Sequence, residues 1–330
     1  MIGVFIVVPT FKLTELLNRC LATLTVQNFD PTAYEIIIAD DAASAETKRL
    51  IEDWVERIGC VLGHINSVPI LRYIPITGNH GPAAARNAGW RVASGEIIAF
   101  TDDDCIPDRN WLKAGIAAFE EGITGVRGKV IVPLPESPTD YELNAAALEK
   151  AEFVTANCFY RKNAIAAING FDEHFTMPWR EDSDLFFSLL ERGGKFAYAA
   201  EAIVVHPIRP APWGVSLTQQ SKSMFNALLY RKHPNLYREK LQPVTPWHYY
   251  WILGAVAVAI IASLTKHQYF TLAAIGFWVL MTARFCLQRL RQTSRTPKHI
   301  AEMIFTSILI PPLSIFWRIF GALKFQVFFL

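Results

Sequence analysis

Three consecutive carboxylates follow a short apolar run in the first third of the chain, and no other group is better placed to do chemistry. The run Glu96–Phe100 predicts a buried strand, and Thr101 leads directly to Asp102, Asp103 and Asp104. Acids this close repel one another unless a cation lies among them. Strands of an α/β sheet present such groups at the carboxyl edge, where these folds bind ligands. The triplet indicates a metal–phosphate site, with a solvated acidic turn as the simpler alternative.

Two more acidic groups stand where an element ends or begins. Asp40 and Asp41 close a second buried-strand run, and Glu181 and Asp182 open a helix that continues to about residue 192. At these places a carboxylate can accept a hydrogen bond from a base or a ribose hydroxyl, or simply cap a helix. Arg86, one turn into another predicted helix, could contact phosphate or hold the aspartates as a bidentate partner.

Alternating strands and helices are needed to bring these groups together. Apolar runs predict strands, and apolar residues at helical spacing predict helices between them. This β-α-β-α-β-α-β order predicts a mainly parallel sheet flanked by helices on both faces. The predicted strands are Val4–Val8, Glu35–Ala39, Leu71–Ile74 and Ile97–Phe100, and the predicted helices are 13–26, 46–58 and 81–93.

The residues that follow, to about 232, predict shorter strands, the helix that Glu181 opens and one further helix. The strands are Val126–Val132, Phe153–Tyr160 and Phe196–Val205, the last of which leads to His206, and an amphipathic helix is predicted over residues 215–232. Repeated prolines between 207 and 246 mark a connecting region.

The last 84 residues differ sharply in composition from the rest. Residues 1–246 carry 24 Lys and Arg against 29 Asp and Glu, whereas residues 247–330 carry 8 against one. Tyr249–Leu264 and Tyr269–Leu287 are apolar runs near the ~20 residues that cross a bilayer. A basic cluster follows them, which predicts that this side faces the cytoplasm. Residues 300–330 predict amphipathic helices in the membrane interface, with a third crossing as the alternative.

The cysteines, the N-terminus and the distribution of charge narrow the class of protein. Five scattered cysteines without ligand spacing indicate a reducing compartment and neither a disulfide framework nor a zinc site. The N-terminus lacks the basic region of a secretory signal. An acidic globular part joined to a basic apolar tail favours an anionic membrane surface as partner and no nucleic acid.

Six segments, taken in order, resemble family 2 glycosyltransferases of the GT-A fold, which are inverting and use nucleotide-sugars. The resemblance covers about residues 3–207. The segments are Val7–Phe11, Ile37–Asp41, Gly81–Gly89, Gly95–Asp104, Gly170–Glu173 and Glu181–Leu185. Each motif is weak alone, and their order makes the match specific.

The resemblance implies a role for each candidate residue. Asp182 would be the general base that deprotonates the acceptor hydroxyl. Asp104 and His206 would hold Mg²⁺ or Mn²⁺ beside the diphosphate. The nucleotide-sugar would be bound by Pro9, Thr10, Phe11, Asp41, Arg86, Asp102, Asp103 and Glu181.

One departure from the family narrows the expected reaction. Processive relatives carry a Gln-x-x-Arg-Trp motif, and the region after His206 holds Gln219-Gln220-Ser221-Lys222-Ser223 instead. We therefore expect addition of a single sugar. A sugar nucleotidyltransferase is the rival enzyme, but Pro9–Leu13 has no glycine-rich phosphate loop. A non-catalytic membrane scaffold is the second rival, although the acids are all present.

The resulting prediction is a GT-A (nucleotide-diphospho-sugar transferase-like) domain with a C-terminal membrane attachment. We predict a catalytic domain over residues 1–210, a linker over 211–247, a transmembrane helical hairpin over 248–287 and a basic loop with interfacial helices over 288–330. The enzyme would sit at the inner (cytoplasmic) membrane with its catalytic domain in the cytoplasm. It would take a UDP- or GDP-type donor and a lipid-linked or cell-envelope glycan acceptor.

Overall fold

A computed structural model describes residues 3–62 and 68–329. The chain divides into two compact units. Unit 1 comprises Met1–Pro133 and Ala146–Pro207, and unit 2 comprises Leu134–Ala145 and Ile208–Leu330. The predicted domain boundary at 210 thus lies three residues beyond the end of unit 1, while residues 134–145, predicted as part of the catalytic domain, belong to unit 2.

Unit 1 is built on one eight-stranded sheet with the order β3-β2-β1-β4-β7-β6-β8-β5. Its strands are β1 Val4–Thr10, β2 Tyr34–Asp40, β3 Ile70–Pro75, β4 Ile97–Phe100, β5 Ile106–Pro107, β6 Ile123–Ile131, β7 Cys158–Arg161 and β8 Lys195–Val205. Its helices are α1 Thr14–Leu24, α2 Ala45–Leu62, α3 Pro82–Val92, α4 Trp111–Ala117, α6 Lys162–Ala167 and α7 Glu181–Glu191, while α5 (Asp140–Ala146) lies almost wholly in unit 2.

The strand directions decide where the functional groups emerge. Strands β1 to β4 are parallel to one another, and β7 runs antiparallel to both β4 and β6. Because β6 and β8 are parallel, β8 ends at the same sheet edge as β1, β2 and β4. The prediction of an α/β fold with a mainly parallel sheet flanked by helices is confirmed.

Close packing of α3 on β1 holds this edge in place. A Cβ atom on Gly89 would lie 2.4 Å from Cγ1 of Val7, so no larger residue fits between helix and strand. The apolar strand residues that predicted β1, β2 and β4 are fully buried in the sheet. These strands are continuous apolar runs in the sequence because both of their faces are buried.

Two predictions of regular structure were wrong: one strand is shorter than predicted, and one predicted helix is broken. The strand predicted over Phe153–Tyr160 begins only at Cys158, because Phe153 has a left-handed backbone with φ of 53° and Asn157 bonds other strands with its side chain. The single helix predicted over 215–232 is broken into α8 (Val215–Thr218), a 3₁₀ segment (Gln219–Met224) and α9 (Phe225–Lys232).

Unit 2 contains the long apolar helices of the tail. After α10 (Pro234–Lys240) come α11 Trp247–Leu264, α12 Gln268–Arg289 and α13 Pro297–Lys324. All three are long and apolar enough to cross a membrane by length and composition. The third forms one helix through Pro311 and Pro312, where the sequence predicts one or two amphipathic helices.

Both ends of α13 contact the stretch of chain that precedes α11. Near its start, Glu302 Oε1 accepts a hydrogen bond from the Gly214 N–H at 2.7 Å. Near its end, the Phe325 carbonyl accepts a bond from Arg231 Nη1 at 2.9 Å, and Arg318 Nη1 donates to Gln242 Oε1 at 3.2 Å. The helix thus runs alongside residues 213–242 over most of its length.

Candidate active site

The acidic triplet lies at the carboxyl edge of the unit 1 sheet, with each acid in a different setting. Asp103 turns inward, and its Oδ2 accepts a 2.7 Å hydrogen bond from Thr10 Oγ1 at the end of β1. Asp104 is buried as well, and its Oδ1 lies 3.5 Å from Nε2 of His206, the residue after β8. Asp102 is the most open of the three.

Arg86 joins Asp102 to the start of α7. Its Nη2 donates to Asp102 Oδ1 at 2.8 Å, and its Nη1 donates to Glu181 Oε1 at 2.9 Å. The side chains of Arg86 and Glu181 are only 4% and 5% exposed. Burial alone would lower the pKa of Arg86, but the two carboxylates outweigh it and raise the pKa, so the guanidinium stays charged. The sequence suggests that Arg86 contacts phosphate or holds the aspartates as a bidentate partner; in the structure it contacts one aspartate and one glutamate through separate nitrogens, which we call the Arg86 bridge.

Asp182 follows Glu181 in the first turn of α7 and is half-buried. Burial raises the pKa of its carboxyl, and the hydrogen bond that the Ser183 N–H donates to Oδ1 at 2.6 Å partly opposes this effect. Burial likewise raises the pKa of Glu181, and Arg86 opposes that effect. The helix begins after Arg180, which has a left-handed backbone with φ of 77°. A strained residue immediately before a buried acid and a half-buried acid is typical of a functional site.

Asp40 and Asp41 have different partners although they are adjacent. Asp40 is fully buried and accepts bonds from the Ala42 and Ser44 N–H groups, so it shapes the turn after β2. Asp41 Oδ2 accepts from the Gly81 N–H at 3.0 Å and thereby ties this turn to the start of α3. A Cβ on Gly81 would lie 2.8 Å from the Thr176 carbonyl, and its φ of 111° also requires glycine.

Phe11 is 55% exposed just past the end of β1, whereas Pro9 and Thr10 belong to the strand itself. An aromatic side chain this exposed can stack on a ligand ring. Thr10 contacts Asp103, Arg86 contacts Asp102 and Glu181, and Asp104 lies beside His206. The Asp41 N–H donates to the Thr10 carbonyl at 2.9 Å, which joins the turn after β2 to the end of β1.

The donor set near His206 suits a divalent cation. Ligand atoms of Asp102, Cys105 and His206 lie within 4.8 Å of one another, and Asp104 is beside His206. Burial raises the pKa of the Cys105 thiol well above its ordinary value, and the neighbouring carboxylates raise it further. The thiol is therefore a poor ligand for a hard cation, which prefers oxygen. Sequence analysis missed Cys105, although its position directly after the triplet was a signal.

Comparison with known proteins gives the family. Residues 5–184 match the family Glycosyl transferase family 2, and residues 139–316 match Glycosyl transferase family group 2. The first match alone covers more than half of the chain. The chain belongs to glycosyl transferase family 2. It is therefore a glycosyltransferase that uses nucleotide-sugar donors, as the motif order predicts.

Two curated glycosyltransferases are similar to parts of this chain at low sequence identity. Glycosyltransferase AglE of Haloferax volcanii is 24% identical over 221 residues, which cover 63% of this chain and 67% of AglE. The pre-mycofactocin glycosyltransferase of Mycobacterium tuberculosis is 32% identical over 145 residues, 39% of this chain and 30% of the relative. The chain thus spans two thirds of the first relative's length and under a third of the second's.

Solved structures of similar fold confirm the predicted GT-A architecture. The mannosyltransferase PcManGT from Pyrobaculum calidifontis, in complex with GDP-Man and Mn²⁺, superposes with a TM-score of 0.56 at 17% identity. That match covers 98% of this chain and 86% of PcManGT. TarS of Staphylococcus aureus in complex with UDP gives a TM-score of 0.51 at 16% identity, covering 96% of this chain and 91% of that structure.

Proposed function

We propose that this glycosyltransferase transfers a single sugar with inversion from a UDP- or GDP-type donor, with a divalent cation, to a lipid-linked or cell-envelope glycan. The observation that carries the proposal is the Arg86 bridge, because it fixes Asp102 relative to the start of α7, which bears Asp182. Asp104 and His206 would hold Mg²⁺ or Mn²⁺, which neutralises the charge of the departing nucleoside diphosphate.

The chain's own groups supply the remaining parts of the transfer. Phe11 and Asp41 lie at the ends of β1 and β2, suited to stack on and hydrogen-bond the nucleobase, and Asp102 is the most accessible acid for the ribose. Asp182, with its raised pKa, takes the proton of the attacking hydroxyl. The GDP-Man and Mn²⁺ bound by PcManGT and the UDP bound by TarS support both donor types.

A donor screen tests the proposal. Full-length protein in lipid nanodiscs is incubated with UDP-, GDP-, CMP- and dTDP-sugars with Mg²⁺, Mn²⁺ or EDTA, and released nucleotide is measured. We expect release from a UDP- or GDP-sugar that needs Mg²⁺ or Mn²⁺ and stops with EDTA. Nucleotide release from no donor, or equal release in EDTA, would contradict the proposal.

We further propose that α11 and α12 form a transmembrane hairpin and that α13 lies in the cytoplasmic interface of the inner membrane. Glu302 and Phe325 are about 35 Å apart along the helix, more than the ~30 Å hydrocarbon core. Both contact residues 213–242, so a crossing α13 would draw that stretch across the membrane too. Those residues form broken helices and carry Arg231, Lys232, Arg238 and Lys240, which a bilayer core disfavours.

The side chains of α13 agree with an in-plane position. One face is buried against other helices of unit 2, while the other exposes an apolar stripe that would rest in the acyl boundary. The stripe consists of Ile304, Phe305, Ile308, Phe316, Ile319, Phe320 and Leu323.

Cysteine labelling distinguishes the two arrangements. In a cysteine-free background, Lys266→Cys reports the loop between α11 and α12, and Phe328→Cys reports the end of α13. With a membrane-impermeant maleimide, we expect Phe328→Cys to be labelled only from the cytoplasmic side and Lys266→Cys only from the opposite side. Labelling of both positions from the same side would mean that α13 crosses.

A further inference from the structure

Unit 2 contains a cavity of about 430 Å³ to which no part of the proposed donor chemistry is assigned. Its walls are the start of α5, the proline-rich stretch 208–213 and the first turns of α13, all within unit 2. The volume falls in the range of small-molecule sites, which combine apolar walls with a few convergent polar groups.

A buried histidine with unused hydrogen-bonding capacity lines this cavity. His299 is 4% exposed, and neither of its ring nitrogens has a hydrogen-bond partner among residues 3–62 and 68–329. A buried imidazole without a partner is costly, because it has lost water and gained nothing in return. A ligand that supplies a hydrogen bond would remove that cost.

Glu302 stands beside His299 with one oxygen already engaged. Its Oε1 accepts from the Gly214 N–H, which leaves Oε2 directed at the imidazole, 3.8 Å from Nδ1. A hydroxyl group can donate to a carboxylate oxygen and accept from an imidazole N–H at the same time. The pair is therefore suited to a ligand hydroxyl, which a simple cation or anion does not replace.

The lining next to this pair is aromatic and apolar. Trp213 lines the cavity at 46% exposure, with its ring 5.3 Å from that of Phe305, and Tyr141 and two prolines extend the wall. The electron-rich face of an indole attracts the weakly positive C–H groups of a sugar ring. Hydroxyl-binding groups and an aromatic surface in one cavity are the combination that a pyranose requires.

The charges around the cavity balance one another when Arg289, the partner of Asp140, is counted, which suits a neutral ligand. Three carboxylates line it, on Asp140, Glu142 and Glu302, against the two cationic side chains of Arg209 and Lys298. Asp140 is paired with Arg289 at 2.7 Å, and Glu142 accepts from the Thr139 N–H and hydroxyl. A neutral polyol would leave this balance of charge unchanged, whereas a phosphate would add negative charge beside the Glu302 carboxylate.

We propose that this cavity binds a neutral saccharide, held by Glu302 and His299 through hydroxyl groups and by Trp213 through its ring face. The inference rests on the proposed function and deepens it: the bound saccharide is the part of the glycan acceptor already assembled. Recognition of the acceptor would then reside partly in unit 2, whereas the proposed donor groups belong to unit 1.

Binding by the full chain tests this directly. The protein is placed in nanodiscs of phosphatidylcholine and phosphatidylglycerol, because maltoside detergents would compete for a sugar site. Saturation-transfer NMR is recorded with cellobiose, lactose, mannobiose and diacetylchitobiose, and with inorganic phosphate as competitor. Trp213→Ala and Glu302→Gln are compared with Trp247→Ala, which removes a tryptophan 53% exposed at the start of α11.

We expect at least one disaccharide to bind, about tenfold or more weaker in Trp213→Ala and Glu302→Gln and unchanged in Trp247→Ala. Absence of disaccharide binding, displacement by phosphate, or equal binding by all variants would overturn the inference. UDP- and GDP-sugar binding is measured in the same samples. Donor binding without saccharide binding contradicts the cavity alone, whereas saccharide binding without donor binding contradicts the proposed function alone.

Discussion

Replacing Asp182 with asparagine should lower sugar transfer by about 10²–10⁴-fold, the usual contribution of a general base. Asparagine has nearly the same shape and can still accept the Ser183 N–H bond, so the start of α7 should be preserved. The raised pKa of Asp182 brings its proton affinity closer to that needed at neutral pH, which asparagine cannot reproduce. Transfer is measured under single-turnover conditions with saturating donor.

Nucleotide-sugar binding should stay unchanged in Asp182→Asn, because the proposed donor contacts lie on other residues. Asp53→Asn is the matched control, since Asp53 is exposed on α2 and should affect neither quantity. Transfer at the wild-type rate by Asp182→Asn would show that another group takes the proton. Loss of donor binding together with transfer would assign Asp182 to the donor instead.

Replacing Arg86 with methionine should lower the free energy of unfolding by about 3–5 kcal/mol and abolish transfer. The substitution leaves Glu181 buried without its counter-charge, and an uncompensated buried carboxylate is among the most destabilising changes known. It also removes the contact that holds Asp102, one of the acids of the proposed donor site. Thermal and urea denaturation of the full chain measure the first effect, and the donor assay measures the second.

Two further variants separate the structural part of this effect from the catalytic part. Arg86→Met combined with Glu181→Leu removes both buried charges and should recover much of the stability without recovering transfer. Arg91→Met, on the same helix, breaks a solvent-exposed pair with Glu173 at 3.4 Å and should cost about 1 kcal/mol or less. Equal effects of Arg86→Met and Arg91→Met would mean that burial adds nothing to the bridge.

The elements with strong periodicity could be predicted from the sequence. The strands ending at Thr10, Asp40 and Phe100 are continuous apolar runs because the sheet buries both of their faces. The short elements β5, α4 and α6 were missed, since two to seven residues are too few to show a period. Helix α5 was missed because it follows a stretch rich in proline and acidic residues.

The residues of the candidate site could be predicted from the sequence, but the side chains that each of them contacts could not. The acids and Arg86 stand in recognisable motifs, but the Arg86–Glu181 pair joins residues 95 positions apart. The inward turn of Asp103 toward Thr10 also depends on how β1 and β4 align, 93 positions apart. Such pairings follow from sheet order, which a single sequence does not contain.

The short segment 134–145 has a consequence for how the protein is made. Asp140 and its partner Arg289 are 149 positions apart, so the ribosome needs roughly 7–30 s between them at about 5–20 residues per second. During translation, α5 leaves the exit tunnel long before α12 and α13 exist. Nascent chains halted before Arg289 should therefore have a complete unit 1 and a protease-sensitive α5.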